Sequence, residues 1–204
     1  MTVAVVDYGA GNLRSVETAL RHIGARFVVS SEPDEMSSAD KLIIPGVGDA
    51  AAAMHRLRSS GLAQAIKEFF QSGKSVMGIC LGSQIVLDGS EENDARCLSL
   101  VSGHAREFPS GTGLKIPHMG WNTIEHDGNH PLLDGVPNGA SFYFVHSYYP
   151  DPADETDVLT RTEYGISFAS SIAHKNLIAF QFHPEKSGRH GLRILTNFVS
   201  WPDG

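Results

Sequence analysis

A cysteine with a glycine two residues away on each side is the first feature of this sequence that could carry chemistry. It lies in the segment Gly78-Ile79-Cys80-Leu81-Gly82, after one apolar run and before another. A nucleophile on a tight strand-to-helix turn needs small neighbours at these two positions, so the spacing predicts a nucleophile elbow. The helix that follows would stabilise a thiolate and aim the Leu81 N–H at an oxyanion. Alternatively, Cys80 is a small buried apolar residue, and the elbow alone leaves both interpretations open.

A histidine and a glutamate occur about a hundred residues later, at the end of another apolar run. His183-Pro184-Glu185 follows a predicted buried strand over residues 177–182, so His183 would emerge at the same sheet edge as Cys80. His183 is the predicted base, and Glu185 is the group that orients it. A surface pair or half of a metal site is the alternative, but no C-x-x-C or H-E-x-x-H motif supports a metal. Composition alone would also allow His104, His118, His126, His130, His146 and His174.

A glycine-rich turn follows a third predicted strand and could supply a second oxyanion donor. In Pro45-Gly46-Val47-Gly48 the glycines let the main chain approach a ligand closely. We expect the donor to be the backbone at Val47 and Gly48, with the Leu81 N–H as the first donor. Because such a peptide rotates easily, the donor could be misaligned at rest and corrected by a partner. An ordinary glycine-rich turn is the alternative.

The first half of the chain alternates apolar runs of strand length with segments of helical periodicity. Strands are predicted at residues 3–6, 27–29, 42–44 and 75–79, and helices at 12–22, 50–58 and 62–71. The runs do not alternate polar with apolar residues, which is typical of parallel strands covered by helices on both faces. The sequence therefore predicts an α/β fold with a mostly parallel sheet.

The second half has shorter apolar runs separated by Gly, Pro and Asp. Residues 98–101, 142–145 and 166–172 are predicted to be antiparallel strands added to the core sheet. A buried strand at 177–182 and a closing helix at 190–200 complete the prediction. The length of 204 residues suits one domain over residues 1–204.

Composition narrows the class of protein. The formal net charge of −7, without a basic cluster, makes nucleic-acid binding a poor prediction. No apolar stretch approaches membrane-spanning length, and the first residues do not resemble a signal peptide. The two cysteines, Cys80 and Cys97, do not make a disulfide framework, which favours a cytoplasmic protein. Cys97 is predicted to be structural or simply exposed.

The cysteine elbow in mid-chain and the His183-Pro184-Glu185 ending resemble the class I (triad-type) glutamine amidotransferases. This resemblance implies a flavodoxin-like, doubly wound α/β fold. It also implies hydrolysis of glutamine to glutamate and ammonia through a thioester on Cys80, with His183 and Glu185 completing the triad. Neither a cofactor nor a metal is expected.

Within that family, the chain resembles most closely the glutaminase subunits of imidazole glycerol phosphate synthases. The resemblance rests on D-Y-G-A-G-N at residues 7–12, P-G-V-G at 45–48, H-M-G-W-N at 118–122, Y-F-V-H-S-Y at 143–148 and H-P-E-K-S at 183–187. It implies glutamine contacts at Gly48, Gln84, Glu92, Ser147 and Tyr148. It further implies a heterodimer with a (β/α)8-barrel cyclase that uses the ammonia in histidine biosynthesis. Interface residues would be Asn12, Met119, Trp121 and Lys186.

Some residues have plainer interpretations or depart from the family. Without the resemblance, Glu92 would be taken as a solvated charge and Trp121 as a core aromatic. Ser83 stands where the family commonly has Met, and Asp49 where an aromatic residue or Ala is frequent; neither belongs to the triad. Three alternatives remain. The chain could be an amidotransferase of another pathway, such as anthranilate or pyridoxal phosphate synthesis, an inactive binding module, or a cysteine peptidase.

Overall fold

The computed structural model describes residues 1–109 and 113–202. Its strands are β1 (Val3–Val6), β2 (Phe27–Ser30), β3 (Lys41–Gly46), β4 (Val76–Cys80), β5 (Gly89–Ser90), β6 (Ala95–Arg96), β7 (Gly103–Glu107), β8 (His118–Thr123), β9 (Ser141–His146), β10 (Tyr148–Pro152), β11 (Val158–Glu163), β12 (Ser167–His174) and β13 (Leu177–Phe180). Its α-helices are α1 (Leu13–His22), α2 (Pro33–Ser37), α3 (Ala50–Ser59), α4 (Leu62–Gln71), α5 (Leu81–Ile85) and α6 (Gly188–Ser200).

The central sheet has seven strands in the order β11-β12-β13-β4-β3-β1-β2. Pairing from β13 to β2 is parallel, whereas β11 and β12 add an antiparallel edge. This arrangement confirms the predicted α/β class with added antiparallel strands. The strand that ends at Cys80 lies between β3 and β13, so the carboxyl ends of three neighbouring strands meet there.

Local sequence explains these elements. All residues of β1 and β4 are buried, as expected for strands with helices on both faces. Helix α1 buries Val16, Ala19 and Leu20, which form one stripe at helical spacing. Helix α3 begins where the Asp49 carboxylate accepts a hydrogen bond from the Ala52 N–H at 2.7 Å.

The second half differs from the prediction in two places. Residues 98–101 do not form a strand, because their N–H groups bond to the carbonyls that end α5: Leu98 to Ile85 at 2.8 Å and Leu100 to Val86 at 2.9 Å. Residues 142–145 do lie in a strand, β9, but it pairs with β8 in a separate two-stranded ribbon. Adding this strand to the core sheet was therefore wrong.

Several elements had no counterpart in the prediction. They are α2, β8, the edge strand β11 of the central sheet and the small four-stranded sheet of order β10-β7-β5-β6. Cys97 is 5% exposed, which confirms the structural alternative over the exposed one. In the described part of the chain, no helix combines the length and apolarity needed to cross a bilayer.

Candidate active site

Cys80 stands at a strained turn between β4 and α5. Its φ is 54° and its ψ is −108°, a backbone conformation that costs a residue with a side chain on the order of 1–3 kcal/mol. The turn closes only because its flanking residues lack side chains. A Cβ at Gly78 would lie 2.7 Å from the Gly82 carbonyl oxygen, and one at Gly82 would clash with the Ile44 carbonyl. Packing thus requires glycine at both positions of the elbow.

His183 and Glu185 lie at the end of the neighbouring strand. β13 pairs with β4 through Phe180 and Ile79, and His183 follows three residues later. The His183 Nδ1 is 2.7 Å from Glu185 Oε1, and both side chains are almost fully buried. Because a carboxylate only accepts, Nδ1 carries a proton, and in the neutral ring Nε2 is left as an acceptor. This tautomer is the one required of a base whose Nε2 takes a proton from a thiol.

The electrostatics of His183 favour its charged form. Burial alone lowers the pKa of His183, but interactions with Cys80 and Glu185 outweigh burial and raise the pKa to about 9. Among the described residues, His183 Nε2 has no hydrogen bond of normal geometry, although the Cys80 side chain is close enough to act on it. Catalytic hydrogen bonds are often long before substrate binds.

Ser187 holds this histidine corner against the ribbon of β8 and β9. Its hydroxyl donates to the His183 carbonyl at 2.6 Å and accepts from the Tyr143 N–H at 3.0 Å. The His183 N–H in turn donates to the Tyr143 carbonyl at 2.9 Å. His183 is therefore attached to β9 as well as to β13.

A cavity of about 380 Å³ opens over Cys80. The described residues that line it are Val47, Gly48, Cys80, Leu81, Gln84, Glu92, Pro117, Val145, His146, Ser147 and Tyr148. All five residues expected to contact glutamine are in this set, together with the nucleophile and the expected oxyanion donors. His183 and Glu185 are not among the residues that line the cavity.

Two polar side chains in the cavity are held by hydrogen bonds. The Gln84 amide nitrogen donates to the Tyr148 carbonyl at 3.0 Å and to Gln181 Oε1 at 2.9 Å. Glu92 Oε2 accepts from the Ala50 N–H at the start of α3 at 2.7 Å. Burial raises the pKa of Glu92. The carboxylate is thus fixed rather than freely solvated, and it could receive a substrate ammonium.

The two expected oxyanion donors belong to elements of different rigidity. Leu81 is the first residue of α5, where N–H groups have no partner within the helix. Gly48 has a φ of +94°, and a Cβ there would meet nothing within 4 Å. Val47 is 41% exposed. The first donor is therefore set by the elbow, whereas the second lies on a turn whose peptides have room to rotate.

The residues expected at a partner interface lie on the ribbon and beside the triad. Met119 and Trp121 alternate along β8 and are 62% and 60% exposed. The Trp121 ring packs edge-on against Tyr143, and Lys186 Nζ lies 5.9 Å from the centre of the Tyr143 ring. Asn12, just before α1, shares a second cavity with Glu185. Asn12 is thus beside Glu185, Trp121 and Lys186 meet at Tyr143 next to His183, and Met119 lies further along the same ribbon. Trp121 is not a core aromatic.

Sequence reasoning missed two polar residues around Cys80. The Gln181 side chain is fully buried, and its amide nitrogen lies 3.8 Å from Cys80 Sγ. The Ser83 hydroxyl donates to the Cys80 carbonyl at 2.7 Å. A glutamine between two phenylalanines of an apolar run was the available signal. No group of three or more metal-binding side chains is present within the described ranges.

Comparisons with known proteins agree with this geometry. The sequence profile of the class-I glutamine amidotransferases matches residues 4–201. The imidazole glycerol phosphate synthase subunit HisH of Dehalococcoides mccartyi strain CBDB1 is 46% identical over 197 residues, covering 96% of this chain and 95% of the relative. The HisH subunit of Herpetosiphon aurantiacus is 46% identical over 198 residues, covering 97% and 93%.

Solved structures share the fold at low sequence identity. The structure of PurLQS from Thermotoga maritima has a TM-score of 0.76 and 19% identity, and the match covers 98% of each chain. The glutaminase domain of CTPS from Trypanosoma brucei with bound acivicin has a TM-score of 0.69 and 17% identity, covering 99% and 96%. Together with the profile match and the HisH relatives, these likenesses show that the chain belongs to the class-I glutamine amidotransferase family, in the same group as the HisH subunits.

Proposed function

We propose that this chain hydrolyses L-glutamine to L-glutamate and ammonia through a thioester on Cys80. Family membership makes it a glutamine amidotransferase, and the assignment of chemistry to residues is our proposal. The observation that carries it is the placement of a strained cysteine beside a buried His183–Glu185 pair, under a cavity lined by Gln84 and Glu92.

In the first half of the reaction, His183 Nε2 takes the proton from Cys80, and the thiolate attacks the side-chain amide carbon of glutamine. The raised pKa of His183 favours the resulting imidazolium. Glu185 keeps the ring oriented through Nδ1. The imidazolium then donates its proton to the amide nitrogen, ammonia leaves, and a glutamyl thioester remains.

In the second half, His183 takes a proton from water, which attacks the thioester carbon. The tetrahedral intermediate then expels the Cys80 thiolate, His183 returns the proton to the sulfur, and glutamate leaves. Both halves pass through an oxyanion. The Leu81 N–H is the donor supplied by the elbow, and the backbone at Val47 and Gly48 is the second donor. Each such donor contributes on the order of 3 kcal/mol to the transition state. A second donor on a rotatable turn offers a way for a partner to control the rate.

The cavity suits an amino acid with a terminal amide. Glu92 would bind the substrate ammonium, while the segment at Ser147 and Tyr148 would hold the carboxylate. With both ends fixed, the side-chain amide points toward Cys80. Gly48 and Gln84 complete the wall.

We infer a heterodimer with a (β/α)8-barrel cyclase, which would use the ammonia to make imidazole glycerol phosphate and aminoimidazole carboxamide ribotide in histidine biosynthesis. The support is the name of the HisH relatives, subunits of imidazole glycerol phosphate synthase. The exposed Met119 and Trp121, with Asn12 and Lys186 nearby, would form the interface. We expect a single domain over residues 1–204 working in the cytoplasm, where its two free thiols stay reduced.

The test is glutamate release from glutamine by wild type, Cys80→Ala and the matched control Cys97→Ala, with and without a cyclase and its nucleotide ligand. Cys97 is a suitable control because burial raises the pKa of its thiol to about 11 and keeps it unreactive. We expect Cys80→Ala to lose at least roughly 10⁴-fold in rate and Cys97→Ala to retain it. Mass spectrometry of wild type quenched during turnover should find a glutamyl adduct on Cys80.

The outcomes separate the alternatives. Activity that survives Cys80→Ala would refute the thioester. Hydrolysis that depends on Cys80 but ignores the cyclase would move the chain to another amidotransferase pathway. Peptide cleavage without glutamine hydrolysis would indicate a peptidase, and binding of glutamine without turnover would indicate an inactive binding module.

A further inference from the structure

Two buried histidines that the proposed mechanism does not use lie against the glutamine cavity. His118 Nδ1 is 2.9 Å from His146 Nε2, and His146 Nδ1 is 2.7 Å from the Tyr148 carbonyl oxygen. Their exposed fractions are 3% and 6%. His146 lines the cavity between Val145 and Ser147. The pair thus connects the first residue of β8 with the turn expected to hold the substrate carboxylate.

Each hydrogen bond in this series has only one possible direction. A carbonyl only accepts, so the proton of His146 lies on Nδ1 and its Nε2 must accept. His118 therefore donates from Nδ1, and its own Nε2 must accept as well. The available donor is the Asn122 amide nitrogen, 3.2 Å away. Both rings are accordingly neutral, and both carry their proton on Nδ1.

The orientation of Asn122 is fixed independently of the histidines. Its side-chain oxygen accepts from the Thr123 N–H at 2.8 Å, and its nitrogen donates to the Glu163 carbonyl at 2.9 Å. A flipped amide would put a donor against a donor and an acceptor against an acceptor. The direction of the whole series is thus determined from both ends, by a backbone carbonyl and by an anchored amide.

The surroundings keep the rings uncharged. His118 stacks between Tyr164 and Phe144, with ring centres 4.0 and 4.8 Å apart. Phe108 and Phe168 pack against His146 at 5.2 and 5.3 Å. Burial lowers the pKa of His118 to about 4 and that of His146 to about 3. Repulsion from His118 and from His183 lowers the pKa of His146 further, although its bond to the Tyr148 carbonyl acts in the opposite direction.

The Tyr148 carbonyl connects this series of hydrogen bonds with the helix that follows the elbow, α5. It accepts from His146 on one side and from the Gln84 amide on the other, at 3.0 Å. Gln84 also donates to Gln181, whose amide nitrogen lies 3.8 Å from Cys80 Sγ. The Tyr148 carbonyl is thereby held by two donors, one from His146 on β9 and one from Gln84 on α5.

We propose that His118 and His146 are positioning residues: a neutral pair with both protons on Nδ1 that fixes the Tyr148 carbonyl, and with it the carboxylate-binding turn at Ser147 and Tyr148. This inference rests on the proposed function, because the turn matters only if glutamine binds there. The proposed mechanism assigns the scissile amide to Cys80 and His183 and the oxyanion to backbone N–H groups, and gives the pair no part in either. Loss of the pair should therefore weaken glutamine binding and leave the chemical steps nearly unchanged.

Histidine tautomers test the pair without reference to activity. In the full-length chain with ¹⁵N-labelled histidine, long-range ¹H–¹⁵N correlation spectra at pH 7 distinguish protonated from unprotonated ring nitrogens. We expect Nδ1 to be protonated and Nε2 unprotonated in both His118 and His146, with assignments from single His→Asn variants. A proton on Nε2 of either ring, or a doubly protonated ring, would overturn the proposal.

Kinetics test the positioning role with two variants at one site. His118→Phe keeps an aromatic ring between Tyr164 and Phe144 but removes the donor. His118→Asn keeps an amide donor near the position of Nδ1. We expect His118→Phe to raise KM for glutamine about tenfold, the size of one lost hydrogen bond, with kcat within about threefold. His118→Asn should restore KM to near the wild-type value.

The two failures are distinguishable. A wild type without Cys80-dependent glutamine hydrolysis would refute the proposed function. A wild type that hydrolyses glutamine, with KM unchanged in His118→Phe or with Asn no better than Phe, would refute only the role of the pair. If His118→Phe does not fold, as thermal unfolding would show, the tautomer spectra of wild type and the KM of His118→Asn still decide the question.

Discussion

The two walls of the active site are built by different physical means. The elbow at Gly78–Gly82 is set by backbone packing: two glycines admit no Cβ, and Cys80 is held at a positive φ. The second wall is the ribbon of β8 and β9 together with the histidine corner at 183–187, which is hydrogen-bonded to the ribbon and does not itself line the cavity. It is held by side-chain hydrogen bonds from Ser187 and between His118 and His146. The elbow therefore requires residues without a side chain, whereas the second wall requires polar side chains that form hydrogen bonds.

This difference decides how each wall should respond to substitution. Steric exclusion cannot be relieved by a polar replacement, whereas a hydrogen-bonded wall tolerates a residue that supplies the same donor or acceptor and carries the same charge. The two walls also differ in whether a partner protein could reach them. The elbow is fixed inside the parallel sheet, while the ribbon carries the exposed Met119 and Trp121, where a partner could act.

Apart from replacement of Cys80 itself, the largest expected effect on catalysis by a folded chain is on the hydrogen-bonded wall. Glu185→Gln removes the charge that favours the imidazolium and presents an amide in place of the acceptor of Nδ1. We expect kcat/KM to fall roughly 10³-fold, with folding intact. An equal loss in Glu35→Gln, an exposed change on α2, would show that the effect is not specific to the site.

The pH dependence of activity and stability tests whether the Glu185 charge raises the pKa of His183. Because the folded pKa of His183 is raised to about 9 from 6.5, its charged form contributes stability that is full below pH 6.5 and is lost as pH rises through 9. Without the Glu185 charge this pKa should fall. Glu185→Gln should therefore move to lower pH the limb of the pH–rate profile that reports His183, and flatten the loss of stability above pH 6.5. A limb that stays in place would contradict the assignment.

Gly82→Ala breaks the other wall by sterics. A Cβ there would clash with the Ile44 backbone, which belongs to a central strand and cannot move away. We expect a loss of about 3 kcal/mol in the free energy of unfolding, measured by denaturant titration, and loss of glutaminase activity.

Gly48→Ala is the matched control. Its Cβ would meet no atom within 4 Å, so only the cost of a φ of +94° remains, about 1–2 kcal/mol. If the two variants are equally unstable, conformational strain rather than close packing sets the elbow, and the contrast between the walls is lost.

The same contrast explains what the sequence could predict. Only glycine fits two residues before and two residues after Cys80, so the G-x-C-x-G spacing predicted the turn while leaving the role of Cys80 open. The parallel strands were visible as uninterrupted apolar runs. His183 was found because it follows such a run with Glu185 two residues later. The placement of each functional role remains a prediction, although the structure brings Cys80, His183 and Glu185 together.

The ribbon wall was harder to predict because its signals are long-range. Nothing local in residues 142–145 indicates that the strand pairs with 118–123 rather than joining the core sheet. Residues 98–101 are apolar enough for a strand, yet their N–H groups cap α5 instead. The bonds between His118 and His146 join residues 28 apart, a pairing that no spacing rule suggests.

Ser187→Ala should have a smaller effect, on the ribbon wall. It leaves the Tyr143 N–H without its acceptor, whereas the His183 carbonyl keeps a bond from the Lys186 N–H at 3.1 Å. We expect a cost of about 1–2 kcal/mol in the free energy of unfolding and faster hydrogen exchange at the Tyr143 amide. Ser59→Ala, an exposed helix position, is the control and should change stability by less than about 0.5 kcal/mol. Unchanged exchange at Tyr143 would show that this hydroxyl does not hold the corner.

The smallest effect on the free chain is expected from Trp121→Ala. The ring is 60% exposed and makes only an edge contact with Tyr143, so the free energy of unfolding should change by no more than about 0.5 kcal/mol. Affinity for the cyclase, measured by calorimetry, should nevertheless fall by about 2 kcal/mol, because exposed tryptophans are typical interface hot spots. Glu35→Ala on α2 should change neither quantity. A destabilised chain with unaltered affinity would mean that Trp121 belongs to the fold of the ribbon, and that the partner binds elsewhere.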